Sequence, residues 1–348
     1  MALTTECNLC CPYCFVKKTN EYMDWNVASR AINLLLKSKG EDKLLSLYGG
    51  EPLLDFELIK RICPYTRSLA KKKNKNIIIS VCTNSTLLTQ EHLNFFKENG
   101  VKLITSIIGC KKDHDTYRKF GDKGTYDVIK KKFIKIQNTL GEGNYGASFC
   151  LLPDTIDNMD LNFKHITKLG FNYINLEFIR DFRPWTTRAI ALFYDNYNNI
   201  LDQIHYGIKN NDFIFLNTIN WEIKYNRYTQ MKGAFCPFNN FLEVYPSGEM
   251  AFSPFLLNIA NKDNFVIGNL SKNTLSLFKT CSFNKDELLC KNCIRNYFKS
   301  YQSDRTADSV VQLNNDMSIN AAKEILKKSE KDVNYKRYVN IIRKEICF

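Results

Sequence analysis

An α/β fold on a parallel sheet, forming an open or partial barrel of about six strands, is what this chain predicts. Three observations carry the prediction. Apolar runs of strand length alternate with amphipathic runs of helical period, glycines and capping residues punctuate the joins, and the residues that could carry chemistry fall just past the apolar runs.

The elements follow in order. MALTTE supplies a first strand ahead of a cysteine-rich loop, and residues 24–39 (DWNVASRAINLLLKSK) form a helix with Asp24 as N-cap and Gly40 as its stop. KLLSLY at 43–48 is a short buried strand, followed by a helix over 55–72. NIIISVC at 76–82 is the third strand, and the helix over 89–99 ends at Gly100. VKLITSII at 101–108, a helix near 126–138, YGASFCLL at 145–152, a helix near 158–169 and FNYINLEFI at 171–179 continue the alternation. Repeated βα units imply right-handed crossovers, and in barrel-like folds the reactive groups gather at the carboxyl ends of the strands.

The chain has 348 residues, 44% of them hydrophobic, enough for one large domain and a smaller one. It contains no apolar run near the roughly 20 residues of a membrane span, and its start lacks the basic and apolar segments of a secretory signal. Thirteen cysteines without such a signal point to a reducing cytoplasm and to metal or cluster work. The net charge of +13 is spread through Lys/Asn/Ile-rich sequence and reads as solvated lysine faces. The densest run, KKKNKN at 71–76, reads as a solubilising loop. The four histidines do not cluster, and there is no phosphate-loop motif or internal repeat.

The run ECNLCCPYCF places Cys7, Cys11 and Cys14 in a CxxxCxxC spacing. One loop can thereby deliver three soft thiolates to one face of an iron–sulfur cube, leaving one iron open. Cys10 gives a second frame with Cys7 and Cys14, so a zinc knuckle or a disulfide is the alternative. In the cluster frame Cys10 is a buried bystander. With Tyr13 before the third cysteine and Phe15 after it, this run resembles the signature of the radical S-adenosylmethionine (SAM) superfamily. The resemblance implies a radical SAM partial (β/α)6 barrel and a 4Fe–4S cluster whose open iron binds SAM. It further implies that an electron from the cluster cleaves SAM to a 5′-deoxyadenosyl radical, which takes a hydrogen atom from the substrate.

Further motifs follow successive strands. Gly49-Gly50-Glu51-Pro52 matches the family's GGEP-type motif. The two glycines suit close approach of backbone to a ligand and Glu51 offers an acceptor; the resemblance implies that this segment holds the SAM ammonium. Cys82-Thr83-Asn84-Ser85 resembles the family's TNG segment, with Ser85 where glycine is usual. Ser106-Ile107-Ile108-Gly109 and His114-Asp115-Thr116-Tyr117-Arg118 resemble the SxDG and HDxxR patterns of the peptide-modifying and sulfatase-maturing branch, with Ile108 in place of Asp. The resemblance makes Tyr13, Thr83, Asn84, Ser106 and Arg118 cofactor-binding candidates, Arg118 because its planar fork suits a carboxylate.

The C-terminal third carries Cys236, a hairpin pattern around Pro246-Ser247-Gly248, IGNL at 267–270, then Cys281, Cys290 and Cys293. It resembles the auxiliary-cluster extension called SPASM, or its shorter relative Twitch, in degenerate form, since Ser253 replaces an expected cysteine. Cys236, Cys281, Cys290 and Cys293 suffice for one auxiliary iron–sulfur cluster, with Cys347 an alternative ligand; zinc would suit the same four thiolates. Cys63, Cys82, Cys110 and Cys150 read as buried small hydrophobes, with one of the strand-end three a candidate hydrogen donor to a substrate radical.

The predicted organisation is a barrel over 1–215, the SPASM/Twitch-like domain over 216–310 and a helical tail over 311–348, its pattern clearest from about 318. The resemblance implies peptide or protein side-chain modification by crosslink or thioether formation, epimerisation or oxidation. It also implies an external electron donor of flavodoxin or ferredoxin type and, since the chain starts almost at its cysteine loop, a separate leader-peptide recognition protein. Alternatives are a radical SAM dehydrogenase of an aminosugar-like small molecule, an RNA-modifying radical SAM enzyme, and a non-enzymatic zinc-binding protein. No membrane partner is expected.

Overall fold

The computed structural model describes residues 1–179, 182–225, 242–251, 266–272 and 305–344. The chain divides into two compact units. One comprises residues 1–10 and 14–103 with the described residues between 234 and 302; the other comprises 11–13 and the described residues of 104–233 and 303–348.

In the first unit, α1 (Trp25–Lys37) starts where predicted, with the Asp24 carboxylate accepting from Val27 N at 2.8 Å. The alternating burial of β1 (Asp42–Leu47) pairs in parallel with β2 (Asn76–Thr83), Leu45 opposite Ile79 and Leu47 opposite Val81. Between them, a 3-10 turn at Pro52–Asp55 leads into α2 (Phe56–Lys72), and α3 (Gln90–Glu98) follows under a Thr89/His92 capping box. β3 (Val101–Ile107) begins in this unit and ends in the second.

The second unit continues through α4 (Lys111–Tyr117), the two-residue pair β4 (Lys119–Phe120) and β5 (Lys123–Gly124), and α5 (Tyr126–Leu140). β6 (Tyr145–Leu151), buried throughout, leads to α6 (Met159–Lys168), β7 (Tyr173–Phe178) and α7 (Thr187–Lys209). β8 (Phe215–Leu216) and α8 (Asn217–Tyr225) complete the alternation. β6, β7 and β8 pair in parallel, and the six-stranded sheet runs β1-β2-β3-β6-β7-β8. Strands buried on both faces in parallel order are what βα crossovers produce.

Three expectations are corrected. The first residues are not a strand: they make only isolated bridges, Ala2 with Tyr48 and Thr4 with Tyr22. The sixth strand is β8, whose two residues are too short to leave a periodic signal. The KKKNKN run is loop only over residues 73–75. Lys71 and Lys72 close α2, where cations oppose the helix dipole, and Lys75 Nζ donates to the Gly40 carbonyl at 2.7 Å.

The predicted hairpin is present as β9 (Glu243–Val244) and β10 (Glu249–Ala251) in the first unit, and β11 (Gly268–Asn269) adds a third antiparallel strand beside β10. The tail forms α9 (Arg305–Ser329) and α10 (Val333–Lys344) in the second unit. There Tyr338 donates to the Ile214 carbonyl at 2.9 Å and stacks on Phe215. Among the described residues no helix is long and apolar enough to cross a membrane. Cys236, Ser253, Cys281, Cys290, Cys293 and Cys347 lie outside the described residues.

Candidate functional site

Cys7, Cys11 and Cys14 all stand on one loop, residues 7–14, and no disulfide joins the described cysteines. The Cys7 sulfur accepts from the Leu9 backbone N–H at 3.4 Å and from Asn84 Nδ2 at 3.8 Å. Donors aimed at a sulfur favour its thiolate, the form that binds metal. Among the described residues, no three His, Cys, Asp or Glu side chains gather closely enough to hold a single ion. Three thiols on one loop, none tied up in a disulfide, are the soft donor set that an iron–sulfur cluster takes, so the residues present fit that group. Cys10 is exposed, not buried as expected, and its sulfur lies 3.5 Å from Lys18 Nζ. The same ammonium reaches back to the carbonyls of Cys7 and Leu9, tying the loop down from a position that carries no sequence signal.

The GGEP segment contributes to the site differently from expectation. Gly49, with φ +150°, and Gly50 lie close against the opening segment of the chain: a Cβ at Gly49 would collide with the Thr4 carbonyl oxygen, and one at Gly50 with that of Glu6. Backbone bonds seal the contact, Gly50 N to Thr4 O and Glu51 N to Glu6 O, both 2.8 Å. The Glu51 side chain is wholly buried. Its Oε1 accepts from Thr83 Oγ1 at 2.6 Å and Leu53 N at 3.1 Å, and its Oε2 from Asn84 N at 2.8 Å. One carboxylate thus joins the GGEP turn to the Thr83-Asn84 segment, while Pro52 opens the 3-10 turn. Glu51 is an internal acceptor with no surface to offer an ammonium group, so the backbone of residues 49–50, which remains half-exposed, is what this segment can present.

Ser85 holds the left-handed conformation, φ 62°, that explains why glycine is usual there, and its N–H donates to Thr83 Oγ1 at 2.9 Å.

In the second unit, Arg118 Nη1 donates to the Tyr13 hydroxyl at 2.6 Å. Arg118 is 7% exposed, and among the described residues its buried Nε has no hydrogen-bond partner. A guanidinium buried beside a neutral phenol is an unneutralised cation, suited to an anionic ligand. Burial pushes the Tyr13 phenol well above its usual value, outweighing the opposing pull of Arg118. Burial likewise pushes the Cys150 thiol up to about 11.

Ile108, at the usual Asp position, packs with Cys150 and Leu152 in an apolar cluster flanked by Tyr13, Tyr117, Ile179 and Phe182. Tyr13, Tyr117 and Phe182 meet edge to face at 5.9–6.4 Å. Ser106 is half-buried on β3. Cys63 is buried as expected, but Cys82 and Cys110 are only partly so. Cys110, which precedes α4, sits at the surface end of its segment, where its backbone N–H donates to Asn162.

Residues 1–157, which contain the cysteine loop, the GGEP turn and the Arg118 segment, match the radical SAM superfamily. Over those residues the chain carries a radical SAM domain. A SAM-binding 4Fe–4S cluster and SAM go with that domain, and the three loop thiols fit the first. This radical SAM chain is 35% identical over 183 residues to an uncharacterised protein of Methanocaldococcus jannaschii, a stretch that spans 52% of this chain and 62% of that protein. It is 25% identical over 324 residues to a cysteine-type anaerobic sulfatase-maturating enzyme of Clostridium novyi, covering 83% of each. Its fold is similar to that of anSMEcpe solved with bound AdoMet and the Cp18Cys peptide, with a TM-score of 0.65 at 18% identity over 93% of this chain and 97% of that one.

Asn8, Thr86 and Lys18 were missed from the sequence. Asn8 sits inside the cysteine run and Thr86 two residues past Asn84, but their hydrogen-bond partners lie far along the chain.

Proposed function

We propose that this protein is a radical SAM enzyme that reductively cleaves SAM and modifies a peptide or protein side chain by hydrogen-atom abstraction. The observation that carries the reading is the Cys7–Cys11–Cys14 loop with hydrogen-bond donors aimed at its first sulfur, inside a segment that matches the superfamily. When bound, the reduced cluster supplies the electron that splits SAM to methionine and a 5′-deoxyadenosyl radical.

This chain's residues supply binding and orientation. Cys7, Cys11 and Cys14 hold the cluster. The backbone of Gly49 and Gly50 would take the SAM ammonium, with Glu51, Thr83 and Asn84 holding that turn in place. Arg118, steadied by Tyr13, takes the SAM carboxylate, and Ser106 lies on the strand beside it in sequence. The apolar ring of Ile108, Leu152, Ile179 and Phe182 excludes water from its surroundings and carries no carboxylate that could accept a substrate proton.

The peptide substrate is supported by the likeness over most of the chain to a sulfatase-maturating enzyme and by the peptide bound to anSMEcpe. An auxiliary cluster on Cys236, Cys281, Cys290 and Cys293 within a domain over 216–310, an external flavodoxin- or ferredoxin-type donor, a separate leader-recognition protein and a cytoplasmic location complete the proposal. Anaerobic reconstitution with iron, sulfide, SAM and dithionite tests it. We expect 5′-deoxyadenosine from the wild-type protein, none from Cys7→Ala, and about eight irons per chain if the auxiliary cluster is present against about four without it. A reconstituted protein that leaves SAM intact overturns the reading.

A further inference from the structure

Asn84, at the end of β2 and 5% exposed, has an amide whose orientation the structure fixes. Its oxygen accepts from the Thr86 backbone N–H at 2.9 Å and from the Thr86 hydroxyl at 2.6 Å. A backbone N–H can only donate, so the atom facing it is the oxygen and the amide nitrogen faces the other way. One amide hydrogen goes to Asn8 Oδ1, with Nδ2 at 2.9 Å; the other goes to the Cys7 sulfur at 3.8 Å.

Asn8 Nδ2 then donates to Thr86 Oγ1 at 2.8 Å and closes a ring. Every donation in it runs in one rotational sense: the Asn8 amide to the Thr86 hydroxyl, the hydroxyl to the Asn84 oxygen, the Asn84 nitrogen to the Asn8 oxygen. Bonds in such a cycle polarise one another, which makes the amide a stiffer and stronger donor than an isolated asparagine. The Asn84 amide hydrogen left outside the ring points at Cys7. Leu9 N–H approaches the same sulfur, so Cys7 receives two donors from two separate segments.

Resting on the radical SAM reading above, we propose that Asn84 is a positioning residue for the Cys7 ligand, locked by the Asn8–Thr86 ring, and that its N–H···S bond raises the reduction potential of the cluster. Hydrogen bonds to a ligating sulfur draw charge from it and favour the state carrying the extra electron. Asn84 thereby acts on the cluster through Cys7, a role different from contact with SAM.

The test is a redox titration of the full-length protein, anaerobically reconstituted without SAM and followed by the EPR signal of the reduced cluster. We expect Asn84→Ala to shift the midpoint to more negative potential and Asn84→Asp, an isostere that cannot donate, to shift it further. Thr86→Ala, which never touches the sulfur, should give a smaller shift of the same sign. Wild-type midpoints in variants loaded with full iron and sulfide overturn the proposal. If Asn84→Ala fails to load, a shifted Thr86→Ala or Asn84→Asp midpoint supports it and unshifted midpoints in both overturn it. A wild-type protein that assembles no 4Fe–4S cluster overturns instead the functional reading on which it stands.

Discussion

At Glu51 one carboxylate takes three protein donors inside the core, and removing it strands the Thr83 hydroxyl and two backbone N–H groups together. Glu51→Ala should lower stability by about 3 kcal/mol or more in a urea titration, and Glu51→Gln by about 1–3 kcal/mol, because an amide can satisfy only part of the set. His114 makes a second single-residue prediction. Burial first, then Arg118 and Lys111, hold its pKa well below the usual value, and among the described residues its buried Nδ1 has no partner. The unfolded chain binds this proton near pH 6.5 and the folded one does not. Stability is therefore complete above that pH and falls on acidification, by on the order of 1 kcal/mol per pH unit. Urea midpoints at about pH 7 and about pH 5 should show the loss, and His114→Gln should flatten it. The cysteine ligands were legible because their spacing is local. The closed roles of Glu51 and Asn84 were not, because their partners lie about thirty to eighty residues away.

Among elements, the join between the GGEP turn and the amino-terminal segment is the tightest. Gly50→Ala places a methyl group against the Glu6 carbonyl, where only backbone could yield. We expect the residues leading into the cysteine loop to shift and iron loading after reconstitution to fall by half or more, while Gly121→Ala, at a left-handed position with open space around it, leaves loading unchanged. The sequence pattern located the helices and the longer strands because each has several periods of buried residues, as in α1 and β2. It failed where tertiary pairing alone defines an element. β8 is two residues held by β7, and the amino-terminal residues are extended without forming a ladder. The glycines of the GGEP turn announce a close approach in the sequence, but only the structure shows that the backbone of Thr4 and Glu6 occupies the Cβ side of each.

For the whole chain, the net charge of +13 has an internal explanation. Basic residues occupy the last turns of most helices, among them Lys37, Lys97, Lys168, Lys209, Lys327 and Arg343, where they offset the negative ends of the helix dipoles. Charge spent in this way is dispersed, and filter binding with mixed RNA should give only sequence-independent affinity, about 10⁻⁴ to 10⁻⁶ M at physiological salt. Nanomolar binding would revive the RNA-modifying alternative. The backbone bonds from Gly50 and Glu51 to the opening segment, and from Asn84 to the Glu51 carboxylate, have a consequence for protein engineering. A chimera that imports residues 1–20 of a relative without the matching 49–52 and 83–86 would bring a foreign splice to a seam with no slack. The three stretches form one cassette, to be transplanted together or not at all.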